Sequence, residues 1–254
     1  MTAVRRHVGH VMSMPISLVL RGRHADDADG RSAWAEAMAT LRDVDAAFST
    51  YRPDSWISRL DRGEVALADC PPEVGEVLAL GELARHRSHG AFDIRRPDRD
   101  GRRALDPSGV VKGWAVERAA KPLRRLADTD FCLGAGGDMV CHVADRAAPP
   151  WRVGVEDPRD PRRVLAVVPV REGAVATSGF AHRGAHVVDA RTGRQPQAVA
   201  SVTVVSDDLT RADLDATSAL AQGPDALRWL GDQHGLAGVV VWQDGRAEVF
   251  GRPA

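Results

Sequence analysis

At 254 residues the chain is long enough to bury a substantial core, and residues 1–254 are expected to form one domain near the upper size limit. Apolar residues at 44% and charged residues at 27% are the balance of an ordinary globular chain, which excludes the disordered and membrane-embedded classes. A formal net charge of −1 gives no global attraction to nucleic acid or to an anionic bilayer.

The N-terminal stretch carries Arg5 and Arg6 with no apolar run of signal-peptide length behind them, so the expected location is the cytoplasm, with no membrane anchor. Ile16 to Arg21 is a short apolar run of strand type. Asp26 to Ser49 places Trp34, Met38, Leu41, Val44, Ala47 and Phe48 near helical spacing. In FSTYRPDSWISRL (Phe48 to Leu60), Pro53 and Asp54 mark a turn and Ser55 to Leu60 starts a short helix. Pro71 to His89 reads as a helix that stops at Gly90. A further helix is expected from near Val111 to about Leu126. Phe131 to Val143 reads as strand–turn–strand around GAGGD, and Trp151 to Glu156, Val164 to Val170, Ala174 to Ser178, His186 to Asp189 and Ala198 to Val205 read as strands. Thr210 to Leu230 is expected to be one helix ending near Gly231, followed by a hairpin of Gly238 to Trp242 and Ala247 to Phe250. Helices and antiparallel-looking strands alternate without a strict βαβ rhythm, so the expected class is α+β.

Cys70, Cys132 and Cys141 are odd in number and lack CxxC spacing, which suggests neither a disulfide framework nor a zinc knuckle. The chain has only two lysines, Lys112 and Lys121, among many arginines, and Lys112 sits in a glycine-flanked motif.

Four local patterns carry candidate chemistry. In TRADLDATSAL, Asp213 and Thr217 lie four residues apart on one helix face, an oxygen-only pair suited to a hard cation. The plainer reading makes Thr210 the helix cap, Asp213 its first-turn partner and Asp215 solvent-facing. LDPSGVVKGWAVE joins Asp106 through a turn to Lys112 at a helix start, which attracts phosphate; the plainer reading is a helix-initiating loop with an exposed lysine. CLGAGGDMV fails the GxGxxG dinucleotide fingerprint, since Met139 stands where the last glycine belongs, and reads as a hairpin turn. HRGAHVVDARTG offers two histidines four apart, His182 and His186, either of which suits a general base near neutrality, against the commoner outcome of a strand-end histidine bonded to backbone.

The order of these blocks resembles the ApbE family of FAD:protein FMN transferases. The resemblance runs from about Met12 to the C-terminal hairpin and is carried by VMSMPISL, FSTYRPDSWISRL, GAFDI, LDPSGVVKGWAVE, AGGD, WRVGVEDPRDP, ATSG, HVVDARTG and ADLDAT. It implies a T-fold-like α+β architecture with FAD in a cleft between two lobes. It also implies Mg²⁺ held by Asp213 and Thr217 with the backbone oxygens of Gly109 and Ala216. Nucleotide contacts fall by position on Met12, Tyr51, Ala91, Phe92, Asp93, Asp106, Lys112 and Val187, and the proposed catalytic histidine on His186. The implied reaction moves the FMN half of FAD onto a threonine or serine hydroxyl of an acceptor flavoprotein and releases AMP. Lys112 would neutralise the phosphates, with Asp106 or His186 orienting or deprotonating the hydroxyl. Splitting of FAD by water, or FAD binding without turnover, are the alternatives. Two positions depart from the family pattern: Ser13 replaces a glycine and Gly134 replaces an asparagine.

Overall fold

A computed structural model of the chain describes residues 3–97, 101, 103–181 and 187–251. The chain opens with a hairpin of β1 (Val4–Val11) and β2 (Met14–Gly22), then α1 (Ala28–Phe48), α2 (Trp56–Asp61) and α3 (Pro72–Arg87). A small hairpin, β3 (Arg95–Pro97) with β4 (Arg103–Leu105), leads into α4 (Ser108–Ala119) and α5 (Lys121–Arg124). Strands β5 (Thr129–Ala135), β6 (Asp138–His142), β7 (Trp151–Asp157), β8 (Asp160–Val170), β9 (Glu172–Gly179) and β10 (Val199–Ser206) follow. The chain closes with α6 (Leu209–Gln222), α7 (Ala226–Gly231), β11 (Ala237–Trp242) and β12 (Ala247–Phe250).

Eight strands form one antiparallel sheet in the order β1-β2-β5-β6-β9-β10-β11-β12, and the class is α+β as expected. Alternation along the strands sorts the side chains onto two faces. Ile16, Leu18, Leu20, Phe131, Leu133, Val140, Ala174, Ala176, Val202, Val204 and Val240 meet the buried faces of α1, α4 and α6 in one continuous core. The opposite set is covered by the β7–β8 hairpin: Val153 and Val170 pack on Cys141 and Val175, and Val155 packs on Ala200, Val239 and Val241. Burial on both faces explains why β9 and β10 read as nearly continuous apolar runs rather than alternating ones.

The helices follow their sequence signals at most ends. Asp27 caps α1 by accepting from the Gly30 N–H at 3.0 Å, and Ser55 caps α2 by accepting from Ser58. Two expected long helices are broken instead. The one expected to reach Leu126 ends at Ala119 and restarts as α5, because Pro122 supplies no N–H to continue the ladder. The one expected from Thr210 to Leu230 divides at Gly223, which has φ +60° and is followed by Pro224. The expected strand at His186 to Asp189 is not formed by its described part: Val187 and Val188 lie outside any strand, and Asp189 makes an isolated bridge to Arg194. No helix among the described residues is long and apolar enough to cross a membrane.

Strand β1 was not legible from the sequence, and it closes against β2 through a two-residue turn. Met12 and Ser13 occupy that turn at φ 54° and 57°. Tight hairpins need positive φ at both central positions, which favours glycine. Ser13→Gly is therefore expected to raise stability by about 1 kcal/mol, since a side chain in that region costs about 1–2 kcal/mol and glycine returns part of this as unfolded-state entropy. Urea midpoints check this; a lowered midpoint would contradict it.

Candidate active site

A cleft of about 690 Å³ opens where helix starts, strand ends and tight turns converge. Its walls include the β1–β2 turn, the end of α1 with Tyr51, the segment after α3, the first turns of α4, the Gly136–Gly137 turn, the end of β9 and one face of α6.

The centre of the site is the crossing of α4 over α6. Gly113 permits it: a Cβ there would lie 2.7 Å from the Asp213 Cβ and 2.8 Å from the Leu209 carbonyl oxygen. The Gly113 N–H donates to Asp213 Oδ2 at 2.9 Å. One residue earlier, the Lys112 ammonium lies 3.1 Å from Asp213 Oδ1 and 2.5 Å from Asp138 Oδ2. All three side chains are largely withdrawn from water, at 12% exposure for Lys112, 2% for Asp213 and 0% for Asp138. Among the described residues, two carboxylates face one ammonium, a buried surplus of negative charge. Burial pushes the Asp138 carboxyl up to about 6; the Lys112 ammonium opposes this and the Asp213 carboxylate adds to it. One turn along α6, the Thr217 hydroxyl sits 2.8 Å from that of Ser178, also on the cleft wall.

Several plainer expectations are thereby corrected. The cap of α6 is Asp208, which accepts from the Arg211 N–H at 2.9 Å, not Thr210, so Asp213 is free of capping and turns inward. Asp215 is buried rather than solvent-facing and pairs with Arg87 at 3.1 Å and Arg211 at 3.5 Å. Lys112 is not exposed, and α4 begins at Ser108, which puts Lys112 in its second turn.

The other expected residues fall around this centre. Gly109 lines the cleft under the Phe92 ring, where a Cβ would stand 2.9 Å from Phe92 Cε2. Asp106 Oδ1 accepts from the Ser108 N–H at 3.1 Å, at the mouth of α4. Asp93 accepts from the Arg95 N–H at 2.7 Å and pairs with Arg103 at 2.5 Å. Met12 and Val187 line the cleft, and Tyr51 stands at its rim with 95% exposure. Ala91 and Ala216 are fully buried and are not among the lining residues. His186 lies outside the described residues. Sequence reasoning gave no role to Asp138 or Ser178. The first was hidden because Gly-Gly-Asp also makes a good turn, the second because a serine before a glycine carries no chemical signature.

Asp213, Thr217 and Ser178 present oxygen donors only to the cleft, with the Asp138 carboxylate buried behind them. That donor chemistry suits a hard divalent cation and not a soft metal.

The sequence profile of the ApbE family matches residues 12–98 and 96–240. The FAD:protein FMN transferase of Vibrio cholerae is 26% identical over 78% of this chain and 75% of that protein. The FAD:protein FMN transferase of Klebsiella pneumoniae is 28% identical over 87% of this chain and 79% of that protein. Among solved structures, the flavin transferase ApbE from Vibrio cholerae superposes with a TM-score of 0.82 at 21% identity, covering 98% of this chain and 97% of that one. The ApbE protein of Thermotoga maritima superposes with a TM-score of 0.83 at 19% identity, covering 97% and 96%.

Proposed function

We infer that this chain, which belongs to the ApbE family, is an FAD:protein FMN transferase. The reading is supported by relatives of that name and by one observation above all: Asp213 and Thr217 share a face of α6 on the cleft wall, with Lys112 against Asp213. FAD is the substrate, and the acceptor is a flavoprotein presenting a threonine or serine hydroxyl.

The reaction joins the acceptor oxygen to the FMN-side phosphorus. The bond from that phosphorus to the bridging oxygen breaks, and AMP leaves with the electron pair. A weak nucleophile approaches a doubly charged diphosphate, so the site must supply positive charge and hold the hydroxyl in line. Lys112 supplies one positive charge and is held against the wall by Asp138 and Asp213. Asp213 and Thr217, with the backbone oxygens of Gly109 and Ala216, would hold Mg²⁺. When bound, Mg²⁺ supplies Lewis-acid polarisation of the phosphoryl oxygens. Asp106, fixed at the mouth of α4 by the Ser108 N–H, or His186 takes the acceptor proton. Phe92, Asp93, Met12 and Val187 frame the nucleotide, with Ala91 shaping the segment behind them, and Tyr51 presents its ring for stacking.

Incubation with FAD, Mg²⁺ and an acceptor flavoprotein is expected to give flavin fluorescence that comigrates with the acceptor after denaturation, with AMP formed in equal amount. AMP and free FMN without labelled acceptor would identify a hydrolase instead, and intact FAD would identify a binding protein.

A further inference from the structure

We propose that Ser178 is a positioning residue for the cation grip, holding the Thr217 hydroxyl so that its lone pairs face the cleft; this rests on the reading of Thr217 as a metal ligand. A hydroxyl has one proton and two lone pairs, and an oxygen that binds a cation must send its proton elsewhere. On a helix the default acceptor is the carbonyl one turn back, here that of Asp213. Ser178 Oγ lies 2.8 Å from Thr217 Oγ1, and either hydroxyl can donate; with a cation on Thr217 its proton goes to Ser178 Oγ, an acceptor other than that carbonyl. It is also a fixed one. Ser178 is 6% exposed and is paired with Val202 of β10, while one residue before it the Thr177 N–H is held by Asp138.

The adjacent residue strengthens the assignment. The Thr177 N–H donates to Asp138 Oδ1 at 3.1 Å, and the Thr177 hydroxyl meets that of Thr203 at 2.9 Å on the other face of the sheet. Two consecutive residues of β9 therefore hold both flanks of the charged centre: Asp138 through the backbone and Thr217 through a side chain. This gives a role to the Ala-Thr-Ser-Gly segment. A simple helix-to-sheet tie would affect stability alone, whereas a positioning role affects metal affinity.

The test compares Mn²⁺ binding to the protein, read from the electron paramagnetic resonance of free Mn²⁺, with the Mg²⁺ concentration giving half-maximal AMP release. Ser178→Ala is expected to weaken both about tenfold, the scale for loss of a group that orients a ligand, with the urea midpoint in EDTA little changed. Ser178→Cys, which keeps the volume and weakens the acceptor, is expected to fall between, and it serves if the alanine variant does not fold. Native values of both readouts in either folded variant would overturn the proposal. Asp213→Asn is the control: if it too kept native metal affinity, the ligand reading itself would fail, whereas its loss beside an unaffected Ser178→Ala would remove only the role of Ser178.

Discussion

Asp213→Asn is expected to lower AMP release about a thousandfold while leaving the metal-free protein folded and close to native stability. The two halves have one cause. Among the described residues, the buried group of Lys112, Asp138 and Asp213 carries two negative charges against one positive. Withdrawing charge from water is costly, and an unbalanced buried charge is the costliest part of such a cluster. Asparagine removes one charge, keeps the volume and accepts from the Gly113 N–H that Asp213 Oδ2 now receives at 2.9 Å; its NH2 then faces the Lys112 ammonium, which keeps Asp138 as its partner, so the relief of buried charge is offset by one lost ion pair. What it loses is the charge that, on the proposed function, holds the cation, a contribution on the order of 4 kcal/mol to the barrier, by analogy with preorganised electrostatic groups elsewhere. AMP assays and urea midpoints in EDTA measure the two sides. Full turnover under metal-replete conditions would remove Asp213 from the mechanism.

The opposite imbalance follows from Lys112→Met. Two carboxylates then face each other without a counter-charge, and breaking a buried pair in this way costs about 3–5 kcal/mol. The loss depends on pH. The Asp138 carboxyl already lies at about 6, above its ordinary value of 3.8, because it is buried. Without the ammonium it rises further. Between the unfolded and folded values the native state binds the proton and the unfolded state does not, so stability falls as pH rises through that window. The variant is expected to be weakest at neutral pH and to recover as the medium becomes mildly acid. Added Mg²⁺ should also recover part of the loss, because a divalent cation can neutralise the same wall. A Lys112→Met protein with a native urea midpoint at neutral pH would contradict the charge balance described here.

The fold was legible where packing obeys a simple period. Helix α1 announces itself through Met38, Leu41, Val44 and Phe48, which all reach the core, and the final hairpin through its two short apolar runs. Strand β1 was not legible because Arg5, Arg6, His7 and His10 interrupt it; an edge strand bonded on one side carries polar residues without penalty. The breaks at Pro122 and Gly223 were visible as residues but were outweighed by the apolar period around them. In the site, the spacing of Asp213 and Thr217 fits a cap as well as a ligand pair, and the Asp208 cap removes the first of these readings. Asp215 escaped because its partner Arg87 comes from a helix 128 residues away, a distance no local pattern carries. Asp138 escaped for the same reason: what marks it is Lys112 and the Thr177 N–H, both brought to it by the sheet and the α4–α6 crossing.

A crystal grown with FAD and Mn²⁺ and examined by anomalous scattering tests the central claim most directly. A single strong metal peak is expected, bound by the Asp213 carboxylate and the Thr217 hydroxyl and within contact of the diphosphate oxygens. A flavin nucleotide seated with its diphosphate remote from α6, or a metal bound elsewhere with Asp213 still held by Lys112, would contradict it.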